Sequence, residues 1–279
     1  KRVSRVWNFV KTLAASNGAT QDYFGSAVAT NGTYVVAGAP YTDHNGKTNA
    51  GSLYVFGLQN NVWTQKIVLN ATDPCDQGYY GASADLWQKR LVVGAPGAYV
   101  TIGNTNTFKS GAAYTYTNTD VAGFTWISGQ KIITHQAHDD MHFAASVAIE
   151  NNQLLCGAPR FSGQHGVSNG YHRGGGFQYI WENGNWKMGA IIGSTNDICR
   201  SGASVAVTNG VWLAGMPQWK GDRGRMVIQR NGAYPAYLYD EDPNVAYGFG
   251  SVVAAHNGQF LVTSPDNEPL GRVFFGVID

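Results

Sequence analysis

Tyr23-Phe24-Gly25-Ser26-Ala27-Val28, then Val35-Val36-Ala37-Gly38-Ala39-Pro40, then Gly51-Ser52-Leu53-Tyr54-Val55-Phe56: this stretch decides the fold, because its three-part phrase returns four more times. Further copies begin at Tyr80-Gly81-Ala82-Ser83, Phe143-Ala144-Ala145-Ser146, Ser201-Gly202-Ala203-Ser204 and Phe249-Gly250-Ser251-Val252. The Gly-Ala-Pro element recurs at Gly94-Ala95-Pro96 and Gly157-Ala158-Pro159, and in altered form at Gly215-Met216-Pro217 and Thr263-Ser264-Pro265. Short apolar runs with a period of roughly fifty residues mark a propeller or a repeat array.

Each repeat resolves into four strands. The first starts at the aromatic-Gly pair, the second ends at Gly-Ala-Pro, the third is of the Gly-Ser-Leu-Tyr-Val-Phe type, and the fourth is Trp63-Thr64-Gln65-Lys66-Ile67-Val68-Leu69. The runs are rich in Val, Ile, Tyr and Trp and are punctuated by Asn31-Gly32, Asn183-Gly184, Asn209-Gly210, Asn231-Gly232 and Asn257-Gly258. Antiparallel hairpins are written this way. Strands two and three are apolar at odd and even positions alike, so both faces of each sheet must be covered, and neighbouring sheets would cover them.

Trp7-Asn8-Phe9-Val10-Lys11-Thr12-Leu13 matches strand four yet precedes any strand one, while Gly271-Arg272-Val273-Phe274-Phe275 matches strand three of the last repeat. The pattern therefore predicts an all-β fold: a five-bladed β-propeller of four-stranded antiparallel blades, closed by an N-terminal strand joining the last blade. Residues 1–279 read as a single domain.

The resemblance of these motifs is to the FG-GAP repeats of bacterial surface proteins, integrin α-subunit heads and integrin-like mushroom lectins. It rests on Trp-Thr-x-x-x-x-Leu, Ala-Ser-Asn-Gly-Ala-x-x-Asp-x-Phe-Gly and Val-Val-x-Gly-Ala-Pro, and it spans the whole chain. It implies a propeller and an adhesion or lectin-type role, although fold alone does not carry function. Integrin-type repeats hold Asp-x-Asp-x-Asp-Gly calcium loops between strands one and two. The loops here, such as Ala29-Thr30-Asn31-Gly32-Thr33 and Glu150-Asn151-Asn152-Gln153, lack the oxygen ligands calcium takes, so neither calcium nor another cofactor is expected.

A net charge of +1 with 13% charged residues lacks the basic footprint of nucleic-acid or anionic-membrane binding. No apolar run is long enough to span a membrane and no signal peptide is visible, although a cleaved one is compatible with a first residue of Lys1. The expected setting is extracellular or at the cell surface. Three cysteines cannot all pair. Cys156 reads as a small buried hydrophobe, and Cys75 and Cys199 lie in loops of non-adjacent blades.

Function is expected in the loops after Gly-Ala-Pro, which are long and different in every blade: Tyr41 to Ala50, Gly97 to Lys109, Arg160 to Arg173, Gln218 to Arg223 and Asp266 to Leu270. Flat rings cover the apolar face of a pyranose while amides and carboxylates meet its hydroxyls. On that chemistry the candidate ligand-binding residues are Tyr41, Asp43, Asn45, Tyr99, Phe161, His165, Tyr171, Trp219, Asp266 and Asn267. The same rings could instead pack the loops onto the blade ends. Trp219 stands out because its loop is short and holds little else to bury it.

Trp7, Trp63, Trp126 and Trp186 recur with the blade and read as core. Asp22, Asp76, Asp140, Asp197 and, more loosely, Asp242 recur just before strand one and read as turn formers. His135, His138, Asp139, Asp140, His142, His165 and His172 crowd blade three, but their spacing matches no strict metal motif, so no metal site is assigned. No catalytic residues are assigned either. The reading is a non-enzymatic carbohydrate-binding module whose partners are glycans or cell-surface glycoproteins. The alternatives are a protein-binding head, marked by a contiguous apolar patch on the loop face, and a glycoside-processing enzyme using Asp76, Asp140 and Asp197.

Overall fold

The computed structural model describes residues 9–103, 106–120, 125–162, 173–193, 198–240, 248–265 and 271–278. Among these the chain is all-β, an arrangement of five antiparallel sheets consistent with a β-propeller. The first sheet runs β1 (Val28–Thr30), β2 (Tyr34–Ala39), β3 (Ser52–Gln59), β4 (Val62–Leu69) in spatial as in chain order. Next come β5 (Ser83–Trp87), β6 (Arg90–Ala95), β7 (Tyr99–Ile102), β8 (Asn106–Lys109), β9 (Ala112–Asn118) and β10 (Trp126–Ile132). The second sheet is β5-β6-β9-β10, and β7-β8 is a separate hairpin in its long loop. The third is β11 (Ser146–Glu150), β12 (Gln153–Ala158), β13 (Gly175–Glu182), β14 (Asn185–Ile192). The fourth is β15 (Val205–Thr208), β16 (Val211–Met216), β17 (Arg225–Arg230), β18 (Ala236–Leu238), with the single helical turn α1 (Trp219–Asp222) between its second and third strands. The fifth has three strands, β19 (Val253–His256), β20 (Gln259–Ser264) and β21 (Arg272–Val277).

The Asn-Gly pairs do what their chemistry dictates. Asn183-Gly184, Asn209-Gly210 and Asn257-Gly258 each have positive φ at both residues and join directly paired strands, the backbone of a two-residue hairpin turn. Second strands point alternate residues at opposite neighbours. Leu91 and Val93 of β6 join the core shared with the first sheet, whereas Val92 joins the core shared with the third. In β16, Trp212 and Ala214 face the third sheet's core and Leu213 faces the fifth's. The doubly apolar pattern is thus a record of two neighbours per sheet.

The repeated motif has a steric cause. A Cβ on Gly38 would stand 1.9 Å from Gly81 O, one on Gly94 2.1 Å from Ala144 O, one on Gly157 2.1 Å from Gly202 O, and one on Gly215 1.9 Å from Gly250 O. The glycine of Gly-Ala-Pro therefore exists so that the next sheet's aromatic-Gly backbone can lie against it. Nearer the third strand, Gly51, Gly174 and Gly224 form parallel bridges to Tyr80, Ser201 and Phe249 of the following sheets. At the opposite end, polar side chains tie the sheets. Asn31 Nδ2 donates to Gln88 O (2.6 Å), Asp85 accepts from Ile149 N (2.7 Å), Glu150 from Asn209 N (2.6 Å), and Thr208 Oγ1 from Gly258 N (2.9 Å).

The expected closing strand is not formed among the described residues. Trp7 and Asn8 lie outside the described residues, and residues 9–13 form no strand. Lys11 Nζ donates to Trp63 O (2.8 Å), Ser16 exchanges hydrogen bonds with the Gln65 amide, and Leu13 and Ala15 pack on the first sheet's core. The segment thus touches β4 in the way the outer strand of one sheet touches that of the next elsewhere, where Gln130 of β10 bonds the Trp186 backbone of β14. Among the described residues no backbone hydrogen bond joins the fifth sheet to the first. The seam between the fifth and first sheets also differs from the others. Thr263 occupies the place of the docking glycine, and Gly25 has open space where Gly81, Gly202 and Gly250 meet a neighbour's backbone.

Cys75, Cys156 and Cys199 are all free thiols. Cys199 Sγ donates to Arg173 O (3.0 Å), and burial pushes the Cys156 thiol far up, so both behave as small packing groups.

Candidate functional site

Two concavities follow from this framework. One lies where the first-to-second turns of all five sheets converge, about 820 Å³ lined by Tyr34, Asp85, Glu150, Val207 and His256 among others. Its carboxylates, half-buried Asp85 and buried Glu150, are both engaged by backbone N–H groups. Both oxygens of Asp85 accept backbone hydrogen bonds, from Leu86 N (2.8 Å) and Ile149 N (2.7 Å), and burial raises its pKa against the effect of those bonds. Burial likewise raises that of Glu150, partly offset by the Asn209 N–H and by His256.

The other, about 640 Å³, lies at the loop end of the first sheet, walled by Asn17, Gln21, Tyr23, Tyr41, Asp43 and Asn49 with the backbone around them. Tyr41 is 42% exposed and Tyr23 62%. The Tyr41 ring lies between Tyr23 (centroids 4.8 Å) and Tyr79 of the next sheet (5.3 Å), so three tyrosines form a row across the seam. Tyr23 and Tyr79 are held there by an unusual backbone: both have φ of 55°, the left-handed region, which turns one aromatic outward while Phe24 or Tyr80 beside it goes inward. The floor is equally fixed. Asp43 Oδ1 accepts from Asn49 N (2.8 Å), Asp22 Oδ2 accepts from Ala19 N (2.7 Å), and Tyr41 N reaches Asp22 O (3.4 Å). The result is a preformed cleft with aromatic faces on one side and amide and carboxylate oxygens on the other.

The predicted ligand residues are only partly brought together. Tyr41 and Asp43 share the cleft. Asn45, with φ of 50°, forms with Gly46 the two-residue turn between His44 and Lys47, so its role is the turn. Tyr99, 47% exposed, sits on the β7-β8 hairpin of the second sheet. Phe161 is a correction: it is 5% exposed and packs edge-on against Phe177 in the core, because a long loop needs an apolar anchor. Trp219 is half-buried in the fourth sheet's loop, apart from the cleft. His165, Tyr171, Asp266 and Asn267 lie outside the described residues, as do His172, Asp197 and Asp242. Sequence reasoning missed Tyr23 and Tyr79 as surface groups. The available signal was the doubled aromatic in Tyr23-Phe24-Gly25 and Tyr79-Tyr80-Gly81, since only one ring of each pair can enter the core.

The repeated aspartates are not equivalent. Asp76 Oδ1 accepts from Thr48 N, but in the third sheet the matching acceptor, for Lys109 N, is Asp139 rather than Asp140. The Thr48 N–H, with Lys47 beside it, holds the Asp76 carboxyl below the usual range, the opposite of what a general acid needs. His138 has both ring nitrogens engaged: Nε2 accepts from Ser162 N (3.2 Å), and Nδ1 lies 2.8 Å from Asp139 O as the donor. Among the described residues no three His, Cys, Asp or Glu side chains converge as a metal-binding group.

Residues 7–56 match the family model of the FG-GAP repeat, a unit that runs from Trp7 through the first sheet's third strand and includes the cleft. The repeat points to a ligand-binding or adhesion type of domain. No curated protein matches the chain.

Proposed function

We propose, from the FG-GAP repeat at residues 7–56, that this chain is a five-bladed propeller head, acting outside the cell or at its surface, that binds carbohydrate through the loop ends of its blades without chemistry of its own. The observation that carries the reading is the Tyr23, Tyr41 and Tyr79 row bordering a cleft edged by Asn17, Gln21, Asp43 and Asn49. A pyranose stacks its C–H face on a tyrosine ring and offers its hydroxyls to amides and carboxylates, so this pairing of surfaces is what a neutral sugar requires. Convergence of all five sheets on one turn-face cavity supports the five-blade count. The partners would be glycans or cell-surface glycoproteins. Each site is shallow, so useful affinity comes from several sites or several copies.

The test is a glycan array followed by titration of any hit. Tyr41→Ala should abolish binding while leaving the melting temperature within a few degrees. Binding undiminished in both Tyr41→Ala and Tyr23→Ala, or an array without a hit, refutes the carbohydrate reading.

Leu261, Val273, Phe275 and Val277 are all exposed on one face of the fifth sheet, with Leu261 and Phe275 directly paired across β20 and β21. In the five-bladed ring this is the face turned to the first sheet, so it is read as a seam between blades and not as a docking patch for another protein.

A further inference from the structure

The fourth sheet carries a feature that a neutral-sugar site does not use. Arg225 opens β17 with its guanidinium 4.5 Å from the centre of the Trp219 ring and 4.1 Å from that of Tyr237, and Lys220 Nζ lies 4.7 Å from the same Trp219 ring. Tyr239 extends the aromatic surface, its ring centroid 6.1 Å from that of Trp219. Arg223, between the two cations in sequence, is exposed.

Two cations thus lie on a single indole, with exposed Arg223 close to both in the chain, and among the described residues none of the three forms a salt bridge with a carboxylate. Asp240, next to Tyr239 in the chain, is committed to Arg272 (3.1 Å). Arg225 Nε donates to Met216 Sδ (3.2 Å), which fixes the guanidinium in plane and leaves its Nη hydrogens without a hydrogen bond among the described residues. Like charges brought together repel, and stacking on aromatic rings holds them in place without neutralising them. Such an arrangement is an anion seat with an aromatic platform beside it.

We propose that this cluster is a second binding site, which takes the negatively charged group of an acidic saccharide, a sulfate or a uronic-acid carboxylate, while the exposed Tyr239 ring beside it meets the sugar. The proposal rests on the reading of the loop face as carbohydrate-binding and names the class of saccharide it selects. Guanidinium meets sulfate and carboxylate with paired, planar hydrogen bonds, and lysine adds an unoriented charge. An acidic saccharide supplies anion and apolar ring face a few ångströms apart, as the cations and the neighbouring Tyr239 ring are arranged here. The chain's near-neutral net charge argues against a long polyanion such as nucleic acid, which would need a basic surface rather than one cluster.

The experiment is calorimetric titration with a sulfated, uronic-acid-containing hexasaccharide, its desulfated form, and the desulfated form with its carboxyls reduced. Binding of the sulfated form should weaken more than tenfold in the double variant Lys220→Ser/Arg223→Ser, whose side chains are exposed and whose melting temperature should be unchanged. Binding should also weaken between 50 and 300 mM salt as the charges are screened. Retention by the desulfated form identifies the carboxylate as the group read, and its loss identifies the sulfate. Equal binding of the reduced, neutral form, undiminished binding in the double variant, or no binding of the sulfated form overturns the proposal. Tyr41→Ala separates the two sites: it should lose neutral glycans and keep the acidic hexasaccharide. A chain that binds the hexasaccharide through this cluster but no neutral glycan would retain this proposal and refute the first-sheet cleft.

Discussion

Gly215→Ala is the sharpest test of how the sheets are held together. The added Cβ would stand 1.9 Å from Gly250 O, with the Gly250 carbonyl carbon at 2.8 Å, and every atom it meets is backbone of the fifth sheet. No side chain can rotate away, so relief requires the sheets to separate by about an ångström, against a normal C···O contact of roughly 3.3 Å. That separation strips contacts from the core formed by Leu213, Met226, Phe249 and Val262. Overpacking usually costs about 1–3 kcal/mol, and a clash with immovable backbone belongs at or above the top of that range. Native domains hold only about 5–15 kcal/mol in total, so the loss is large. Gly189→Ala is the matched control. Gly189 lies on the outer strand β14, and its Cβ would meet nothing closer than Gln178 Cβ at 3.8 Å, so the same change should be neutral or mildly stabilising. Urea unfolding of both variants with the slope held in view reads the difference. A Gly215→Ala protein within 0.5 kcal/mol of its parent, a threshold close to the error of surface substitutions, would refute the backbone-docking account of the motif.

Trp186, 4% exposed and edge-on to Trp181, should cost about 3–5 kcal/mol when cut to Ala, whereas half-buried Trp63 should cost less; equal losses would show that the outer strands share one core environment. Burial raises the Glu150 pKa, so the folded state holds that proton more tightly than the unfolded chain does. Its contribution to stability is full below the unfolded value of about 4.3 and is lost as pH rises through the folded value. Glu150→Gln can still accept from Asn209 N and should flatten the fall in stability from pH 4 to 7, and an unchanged pH profile would contradict this assignment. Chelator treatment should leave the melting temperature unmoved, because the first-to-second turns are Asn-Gly and similar pairs lacking calcium's carboxylates; a drop restored by calcium would reveal a site.

Strand content was legible because the chain states it twice, in alternation and in turn chemistry. Val35 to Pro40 became β2 (Tyr34–Ala39), and Trp63 to Leu69 became β4 (Val62–Leu69), each within a residue. The recurring Gly-Ala-Pro was legible as a motif but not as a contact, since its cause is the backbone of a different repeat about forty residues on. Location was harder than type. Phe9 to Leu13 carries the pattern of an outer strand, yet among the described residues it forms none, and the segment reaches the first sheet through side-chain contacts of Lys11 and Ser16. The aspartate series misled for a similar reason. Alignment by residue type paired Asp76 with Asp140, whereas hydrogen bonding pairs it with Asp139, one position earlier. Of the candidate cleft, Tyr41 and Asp43 were readable because they sit in a variable loop. Tyr23 and Tyr79 were hidden in the repeat itself, where one ring turns outward through a left-handed backbone that composition does not reveal.

The glycine seams also explain how such a chain can grow and diversify. Main-chain atoms fix how one sheet sits on the next, and these are the same whatever side chains the loops carry. A duplicated repeat therefore arrives with its mating surface already complementary to its parent, and its loops can mutate from the first generation without disturbing the stack. Tyr41 in one copy, Trp219 in another and a whole hairpin at Tyr99 in a third are the variety this permits. At Thr263 the rule lapses. The neighbour of the fifth sheet would there meet a branched side chain, so the contact between the last sheet and the first has to be of a different kind from the other four.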